Sequence, residues 1–391
     1  MTKPELHIPV LIVGGGPVGL FLAISLLKKG VQCKVIEKRK NPVPDSRSLG
    51  IHPVSLELFD ELGIAHLFLK EGIKIQKGIA LNEKGIVGEI SFETCPKPHN
   101  YILACPQRTT ESILRKELSR LAPDALITRS TFKKFLEEQH AVLTTFSDPD
   151  GKERVFQSDV LIGCDGKNSL VRQQASIHYS GKRYPDTYIM GDFEDTTDFG
   201  NKAAVFLPKN GLIESFPLPN GIRRWVVKTD KYIQQPAPEK IADMIHRRVG
   251  YKLYNVNNTM TSSFGVQHFM AEFFRKGRIL LAGDAAHVVS PIGGQGMNLG
   301  WLGSEEMAVK LSEMYSQDNK LSIDQRLNNF EKQHKKRVQK AAKRAELNMI
   351  LGRRSRIPFF KNIIIKTILT SPIDRKLARL FTMRNLKSGW L

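Results

Sequence analysis

The feature that most constrains the fold is a run of glycines between an apolar, strand-like segment and an apolar, helix-like segment. His7–Val13 has the pattern of a buried strand, and Gly14–Gly19 (GGGPVG) follows it directly. Val18–Lys29 is apolar nearly all round, which is typical of a buried helix, and Gly30 closes it. Gln32–Glu37 is then a second strand. This order predicts a βαβ unit that opens a doubly wound α/β sheet.

The glycine positions fit the fingerprint of a turn that binds a dinucleotide. Gly14 permits the tight turn, Gly16 lets the backbone approach a pyrophosphate, and Gly19 lets the helix pack closely on the strand. The helix N-terminus offers its free N–H groups and dipole to the phosphates. Glu37 ends the second strand about 20 residues further on, where an acid meets a ribose hydroxyl. A purely structural glycine turn is the alternative, but it does not account for the complete order of elements.

A second buried strand ends in an acid and a glycine. The run from Val160 to Cys164 is apolar, Asp165-Gly166 follows it, and Ser169 to Arg172 comes next. Ligands of open α/β sheets lie beyond the carboxyl ends of the strands, where Asp165 could accept hydrogen bonds from a cofactor. The alternative is that Asp165 caps the following helix.

A third strand also ends in Gly-Asp and is followed by a second glycine-rich loop. The strand begins at Arg278 and reaches Asp284, and the loop runs from Pro291 to Asn298 (PIGGQGMN). Asp284 is placed to bind sugar-like hydroxyls. A helix that starts near Met297 would aim backbone N–H groups at a developing negative charge, such as that of a reduced flavin ring.

Alternating apolar and polar residues indicate antiparallel strands between these motifs. The alternation covers Ile73–Phe92 and Tyr184–Lys228, and it is broken by turns at Asn210-Gly211 and Asn220-Gly221. Asn-Gly steps between such segments are strong hairpin signals. The pattern predicts an antiparallel sheet inserted into the doubly wound domain.

In this order, the three motifs resemble those of the group A flavoprotein monooxygenases, the p-hydroxybenzoate-hydroxylase-like enzymes. The resemblance covers about Val10 to Asn298 together with the helix after it. It implies FAD as cofactor, NADH or NADPH as a transient reductant, and O2 as the oxygen donor. It implies hydroxylation of an aromatic small molecule that is phenolic or resembles a quinone precursor. An epoxidase, a halogenase, a prenyl-chain reductase or a non-catalytic flavin-binding protein remain as alternatives.

The resemblance also implies a division into domains and a set of cofactor-binding residues. The FAD-binding domain would comprise 1–72, 103–178 and 269–345, the substrate-binding sheet domain 73–102 and 179–268, and the C-terminal basic and apolar helices 346–391. The cofactor-binding residues would be Gly14, Gly16, Pro17, Val18 and Gly19 at the pyrophosphate, Glu37 with Lys38 at the adenosine ribose, Arg47 and Arg108 at the FAD, Asp165 and Asp284 as hydrogen-bond acceptors, and the backbone of Gly296, Met297 and Asn298 at the flavin ring. Arg108 has an ordinary surface arginine as its alternative role.

The inserted sheet is expected to supply the substrate pocket, but the sequence does not identify a catalytic base. The pocket candidates are His52, Tyr188, Met190, Phe216, Trp225, His268 and Pro291. A single histidine or aromatic residue on a strand is more often part of a core, so each candidate has a structural alternative. His287, inside the third motif, is expected to be structural.

Charge and cysteine content bear on partners and location. The formal net charge is +20, and residues 331–391 hold 17 of the basic residues against three acids. Within this tail, apolar residues at 359, 360, 363, 364 and 368 share one helical face beside lysines, which predicts either peripheral contact with an anionic inner membrane surface or a lid over the pocket. No nucleic-acid module is recognisable.

Four cysteines without metal-binding spacing and a polar N-terminus without signal-peptide character favour a cytoplasmic protein without a structural metal.

Overall fold

The structure is a computed structural model, which describes residues 4–43, 47–83, 85–254, 260–315, 323–353 and 374–386. The apolar helical face predicted at 359–368 lies outside these ranges. The helices within them are α1 Pro17–Lys28, α2 Pro53–Glu61, α3 Ala65–Glu71, α4 Gln107–Leu121, α5 Leu170–Gln174, α6 Pro238–Val249, α7 Gln295–Tyr315, α8 Ile323–Gly352 and α9 Asp374–Phe381.

The strands fall into two large sheets and one small sheet. Their bounds are β1 Leu6–Val13, β2 Cys33–Ile36, β3 Gly50–Ile51, β4 Ile73–Ile75, β5 Lys77–Asn82, β6 Gly85–Ser91, β7 Ile102–Ala104, β8 Leu126–Ile127, β9 Thr131–Glu137, β10 Val142–Ser147, β11 Glu153–Gly163, β12 Tyr179–Glu194, β13 Ala203–Phe206, β14 Ile213–Leu218, β15 Ile222–Thr229, β16 Thr261–Ala271, β17 Arg275–Lys276, β18 Ile279–Leu281 and β19 His287–Val288.

The first sheet has a parallel centre in the order β18-β11-β1-β2-β8. Both faces of β1 are buried: Val10 and Ile12 pack under α1 and α7, and Leu11 and Val13 pack on the opposite side. Such two-sided burial explains the continuous apolar run that the sequence shows there. Helices α1, α2 and α6 begin with proline, whose missing N–H costs nothing in a first turn.

The second sheet is the inserted one, in the order β19-β16-β12-β15-β14-β13-β5-β6. Its pairs are antiparallel except that β13 runs parallel to β5. One face packs on α6 through Ile189, Trp225 and Ile241. The other face is turned toward the parallel-sheet part, and it carries the candidate site described below.

Three elements cross the domain boundaries expected from the sequence. Strand β16 continues through 268/269 and pairs with β19, which belongs to the segment assigned to the FAD-binding domain. Strand β7 continues through 102/103, and in the small sheet it pairs with β4 of the segment assigned to the substrate domain and with β3 of the segment assigned to the FAD-binding domain. Helix α8 continues through 345/346. The change of sequence pattern marks where apolar and polar residues alternate, but it does not show where a strand or helix continues across a domain boundary.

The described end of the chain packs on the protein itself. Ala378 and Phe381 of α9 join Ile75, Phe92 and Cys95 in one apolar cluster. Just beyond α9, the Arg384 guanidinium bonds to the Glu57 carboxylate at 2.6 Å and to the backbone oxygens of Pro96 and His99. Among the residues that the structure describes, no helix combines the length and apolar character needed to cross a bilayer.

Candidate functional site

The three glycines of the first motif have three different environments. Gly14 has a φ of +109°, and a Cβ there would lie 2.3 Å from the backbone oxygen of Cys164. A Cβ on Gly19 would lie 2.0 Å from the backbone oxygen of Gly14. A Cβ on Gly16 would meet no atom within 4 Å, although Gly16 is the N-cap of α1. Two glycines therefore permit close packing, and the third leaves open space at a helix N-terminus, where an anion is favoured.

Glu37 lies beside this turn, at the end of β2, and its carboxylate organises the backbone. One oxygen accepts the Gly15 N–H at 2.7 Å and the other accepts the Arg39 N–H at 2.9 Å. The residue is buried, while Lys38 next to it is exposed. Each carboxylate oxygen has a second lone pair, so Glu37 can still accept a ribose hydroxyl.

Asp165 caps a helix, as the simpler interpretation predicted, but with one oxygen only. Its Oδ2 accepts the N–H groups of Leu170 and Val171 at the start of α5. Its Oδ1 is buried and has no hydrogen-bond partner within the described ranges. A buried acceptor such as Oδ1 needs a donor, and the described protein does not supply one. Asp165 can therefore cap α5 through Oδ2 and contact a cofactor through Oδ1.

Arg172 and Tyr179 hold the second and third motifs together. The buried Arg172 guanidinium donates to the backbone oxygens of Ala285 and Lys167 and stacks 3.7 Å from the centre of the Tyr179 ring. The Tyr179 hydroxyl donates to the backbone oxygen of Asp284 at 3.0 Å. The backbone of Asp284 and Ala285 is thus held by one hydrogen bond at each residue.

The Asp284 carboxylate has no donor among the described residues. It retains exposed surface, yet the atoms crowded around it raise its pKa to about 6 through burial, with Lys167 opposing the shift. Both observations describe a carboxyl group in the wall of a concave site. Val18 of the first motif lies against Gly283 and Gly300, where an added Cβ would approach it to 3.1 Å and 2.5 Å. The first and third motifs therefore line one site.

The second glycine loop is tied to the protein through the side chain of Asn298. Asn298 Oδ1 accepts the His52 N–H at 2.9 Å and the Ser55 hydroxyl at 2.8 Å. Its Nδ2 donates to the backbone oxygens of Gly50 and Gly294. Only the backbone of Gly296, Met297 and Asn298 was expected to matter here. The Asn298 side chain is an additional brace that fixes the loop and the start of α7.

His52 supports the same loop. Its Nε2 lies 3.1 Å from the backbone oxygen of Gly293, and burial lowers its pKa to about 4. His52 is therefore neutral near pH 7 and behaves as a positioning group for the loop.

The two arginines expected at the cofactor lie at the surface of this region. Arg47 and Arg108 are both exposed. The backbone oxygen of Arg47 accepts a hydrogen bond from Arg224 of β15, at 3.2 Å. Arg224 also forms a two-pronged ion pair with Asp192, so the inserted sheet contacts the segment that carries Arg47.

Tyr188, Met190 and Phe216 are brought together on the inner face of the inserted sheet. They pack with Val226, with Ile292 of the second glycine loop and with Met349 of α8. Pro291 is exposed beside Ile292. Because Ile292 lies in that loop, the aromatic face of the sheet directly adjoins the element expected at the flavin ring.

Two other pocket candidates have different positions. Trp225 is fully buried on the opposite face, against Phe206 and α6, because side chains alternate along β15 and Val226 takes the inner face. His268 joins two strands through a 3.1 Å hydrogen bond between Nδ1 and the backbone oxygen of Val288. Burial lowers its pKa.

His287 is buried in a pair with His334 of α8, and their Nε2 atoms are 3.0 Å apart. Burial is the main cause that lowers the pKa of both rings. The pair is neutral and links the third motif to α8, in line with the structural role expected of His287.

Glu214 on β14 is an ionisable residue of the inner face that the sequence did not single out. Burial raises its pKa to about 7. Its position two residues before Phe216 is the signal that would have placed both side chains on one face.

Known proteins resemble this chain over most of its length. Residues 7–345 match the family model described as FAD binding domain. An uncharacterized aromatic compound monooxygenase of Bacillus subtilis (strain 168) is 33% identical over 308 residues, which are 77% of this chain and 60% of that protein. Pentachlorophenol 4-monooxygenase of Sphingobium chlorophenolicum is 28% identical over 305 residues, 74% of this chain and 55% of that protein. The chain spans less than two thirds of the length of both relatives.

A solved structure shares the fold. Matched to the crystal structure of p-nitrophenol 4-monooxygenase from Pseudomonas putida DLL-E4, the chain has a TM-score of 0.86 at 20% identity, over 99% of this chain and 100% of that one. The expected fold class, a doubly wound α/β domain with an inserted sheet, is confirmed.

Proposed function

The chain belongs to the FAD binding domain family, among the group A flavoprotein monooxygenases, and from this premise we propose that it hydroxylates an aromatic small molecule with NADH or NADPH and O2. One observation carries the proposal: the aromatic inner face of the inserted sheet packs against Ile292 of the second glycine loop. A planar, apolar substrate on that face would lie next to the cofactor site. The names of two relatives, an aromatic compound monooxygenase and a pentachlorophenol 4-monooxygenase, support the same substrate class.

The roles proposed for the chain's own residues follow from its contacts. Gly16 and the N-terminus of α1 bind the pyrophosphate, Glu37 and Asp284 accept sugar-type hydroxyls, and the loop braced by Asn298 supports the flavin ring. Tyr188, Met190 and Phe216 exclude water and orient the substrate. Bound FAD supplies the redox chemistry, which comprises electron uptake from the nicotinamide and reaction with O2.

The direct test is turnover by the purified holoenzyme with a panel of phenols and quinone precursors. We expect ligand-stimulated oxidation of NADH or NADPH and a product that carries one added oxygen derived from O2. Oxidation of the nicotinamide without an oxygenated product would favour a reductase or an oxidase. A halogenated or epoxidised product would assign the corresponding alternative. Absence of any ligand-stimulated oxidation would favour a flavin-binding protein without catalytic activity.

The Asp284 carboxylate provides a test of the cofactor contact. Asp284→Ala is expected to weaken FAD binding about tenfold or more, because a hydrogen bond to a charged group contributes about 1.5–3 kcal/mol. A hydroxyl donor stabilises the ionised carboxylate, so wild-type affinity should be full above about pH 6 and fall as Asp284 protonates below it. The variant should lack this pH dependence. The measurement is a fluorescence titration of apoprotein with FAD, with exposed Asp150→Ala as control. Equal affinity of wild type and Asp284→Ala at every pH would remove Asp284 from the cofactor site.

A lipophilic substrate and peripheral membrane contact are a finer proposal about the same enzyme. Its support is the basic excess of residues 331–391 together with the apolar face predicted at 359–368, which lies outside the described ranges. Flotation with anionic and neutral vesicles at low and high salt tests it, since screening by salt should release a charge-driven contact. Failure to float with anionic vesicles at low salt would reject it.

A further inference from the structure

Glu214 lies on the same face of the inserted sheet as the aromatic residues of the proposed substrate site. On β14 it is directly opposite Val226 of β15, which is itself opposite Met190 of β12. Residues directly opposite in neighbouring strands point to the same side of a sheet. Val226 and Met190 belong to the cluster with Tyr188 and Ile292. The Glu214 carboxylate is therefore directed to the side where an aromatic substrate would bind.

Three buried or half-buried aspartates in or next to this sheet are paired with cations. Asp186 contacts Lys228 and Arg353, Asp192 contacts Arg224, and Asp195 contacts Arg223. Glu214, in contrast, has no hydrogen bond or ion pair with any described residue. A carboxylate held among apolar atoms without a partner is costly, and such groups concentrate at functional sites.

A second polar group without a partner lies close to Glu214. The Tyr188 hydroxyl is buried and has no hydrogen bond within the described part of the chain. Burial raises the pKa of Tyr188, and the charge of Glu214 raises it further. The site thus offers one acceptor, the carboxylate, and one donor, the phenol hydroxyl, beside the ion pairs of Asp186 with Lys228 and Arg353.

The neighbouring ionisable groups of this face are ion-paired or, in the case of His268, have a lowered pKa. On β15, Arg224 and Lys228 are ion-paired, and on α8 Arg353 is paired with Asp186. Burial would raise the pKa of Asp186, but hydrogen bonds from Arg353 and Lys228 outweigh it and lower that pKa. His268 of β16 has a lowered pKa and is neutral. Positions of β5 and β13 on this face carry no ionisable side chain (Gly78, Ala80, Asn82, Ala203 and Val205).

We propose that the Glu214 carboxylate binds the hydroxyl group of a phenolic substrate and takes up its proton. The substrate O–H bond breaks, an O–H bond forms on Glu214, and the electron pair stays on the phenolic oxygen, so no oxidation is involved. A phenolic oxygen can donate to Glu214 and accept from Tyr188 at once, whereas an ammonium group has no lone pair for Tyr188. The pKa of Glu214, raised by burial to about 7, suits a base that works near neutral pH. The inference rests on the proposed function for the position of the substrate.

The first test uses wild-type holoenzyme and two ligands of nearly equal shape. Para-cresol has a hydroxyl where para-methylanisole has a methoxy group, and the binding of either is followed by the change in flavin absorbance. Cresol affinity is expected to rise about tenfold or more as the pH is raised through about 7, because an ionised acceptor makes the stronger hydrogen bond. Methylanisole affinity should stay constant. Parallel pH profiles for the two ligands, or no cresol binding at any pH, would overturn the proposal.

The second test assigns the effect to Glu214. Glu214→Gln keeps the shape but cannot ionise, so its cresol affinity should no longer depend on pH and should match its affinity for methylanisole more closely. Glu194→Gln, a change at an exposed glutamate of the same sheet, should behave as wild type. An unchanged pH profile in Glu214→Gln would refute the proposal even if the enzyme hydroxylates phenols. If cresol binding has the expected profile but no hydroxylation occurs, the proposed function fails and the role of Glu214 stands. If Glu214→Gln does not fold, the pH profiles of cresol and methylanisole binding to the wild-type holoenzyme test the proposal by themselves.

Discussion

Gly19→Ala is expected to destabilise the nucleotide-binding part of the protein by about 3 kcal/mol or more, at the upper end of the cost of overpacking. The added Cβ would lie 2.0 Å from the Gly14 backbone oxygen and 3.1 Å from the Cys164 Cβ. Helix α1 would have to move away from β1 to relieve this contact, and the apolar packing of α1 against α4 and α7 would be lost with it. The measurement is urea-induced unfolding, followed by circular dichroism in the absence and presence of FAD.

Gly16→Ala is the matched change within the same motif. It should leave the stability of the apoprotein nearly unchanged but weaken FAD binding. The backbone of Gly16 (φ −80°, ψ −178°) suits alanine, and a Cβ there meets no atom within 4 Å. The stability of the apoprotein should therefore fall by about 1 kcal/mol at most, the difference between glycine and alanine at an N-cap. FAD affinity should fall much more, since the methyl group takes the space through which the pyrophosphate approaches. A stable Gly19→Ala protein, or Gly16→Ala with wild-type FAD affinity, would contradict this division of roles.

Asn298→Leu is expected to cost a total of about 4 kcal/mol or more of stability, because each buried polar group left without a partner costs about 1–3 kcal/mol. The substitution keeps the number and branching of the side-chain heavy atoms but leaves four groups without a partner: the His52 N–H, the Ser55 hydroxyl and the carbonyls of Gly50 and Gly294. The Gly294 carbonyl lies in the second glycine loop, and His52 contacts Gly293 of the same loop. The loop should therefore loosen, and FAD should be released more easily. Thermal unfolding of the apoprotein and holoprotein measures both effects.

The control for this substitution is Asn201→Leu, at an exposed turn position. A surface change of this kind is usually within about 0.5 kcal/mol of wild type. If Asn298→Leu is as stable as Asn201→Leu, the side-chain brace is not needed to hold the loop, and the backbone alone positions it.

Much of the nucleotide-binding half could be predicted because its signals are local. The turn Gly14–Gly19 fixed the place of β1 and α1 to within a residue or two, and Asp165 and Asp284 follow strands that were expected to be buried. The resemblance to group A flavoprotein monooxygenases was drawn from three short motifs, and the match of residues 7–345 to the FAD binding domain family confirms its FAD-binding part. Such motifs work because a backbone that approaches a phosphate closely allows few residue types.

The substrate side was less predictable, because alternation along a strand gives two faces without saying which one meets the cofactor. Trp225 and Phe216 were equal candidates by sequence, yet they lie on opposite faces. Glu214 resembles a solvent-facing residue within an alternating strand, and the pairing of β14 with β15 shows that it lies beside Val226. Asn298 was expected to act through its backbone, since nothing in the sequence reveals four partners that come from distant segments.

The order of strands in the parallel sheet has a consequence for biosynthesis. Strand β1, made first, hydrogen-bonds to β2 on one side and to β11 on the other, and β11 in turn needs β18, at Ile279–Leu281. While the ribosome adds β12 to β17, β10 can already pair with the first part of β11, but the edge of β11 at Leu161–Gly163 is still unpaired. Exposed strand edges of this kind promote aggregation, and pairing between distant segments is slow. Translation past β18 is therefore the moment at which the parallel core can close, and slower growth or chaperone protection would help most just before it.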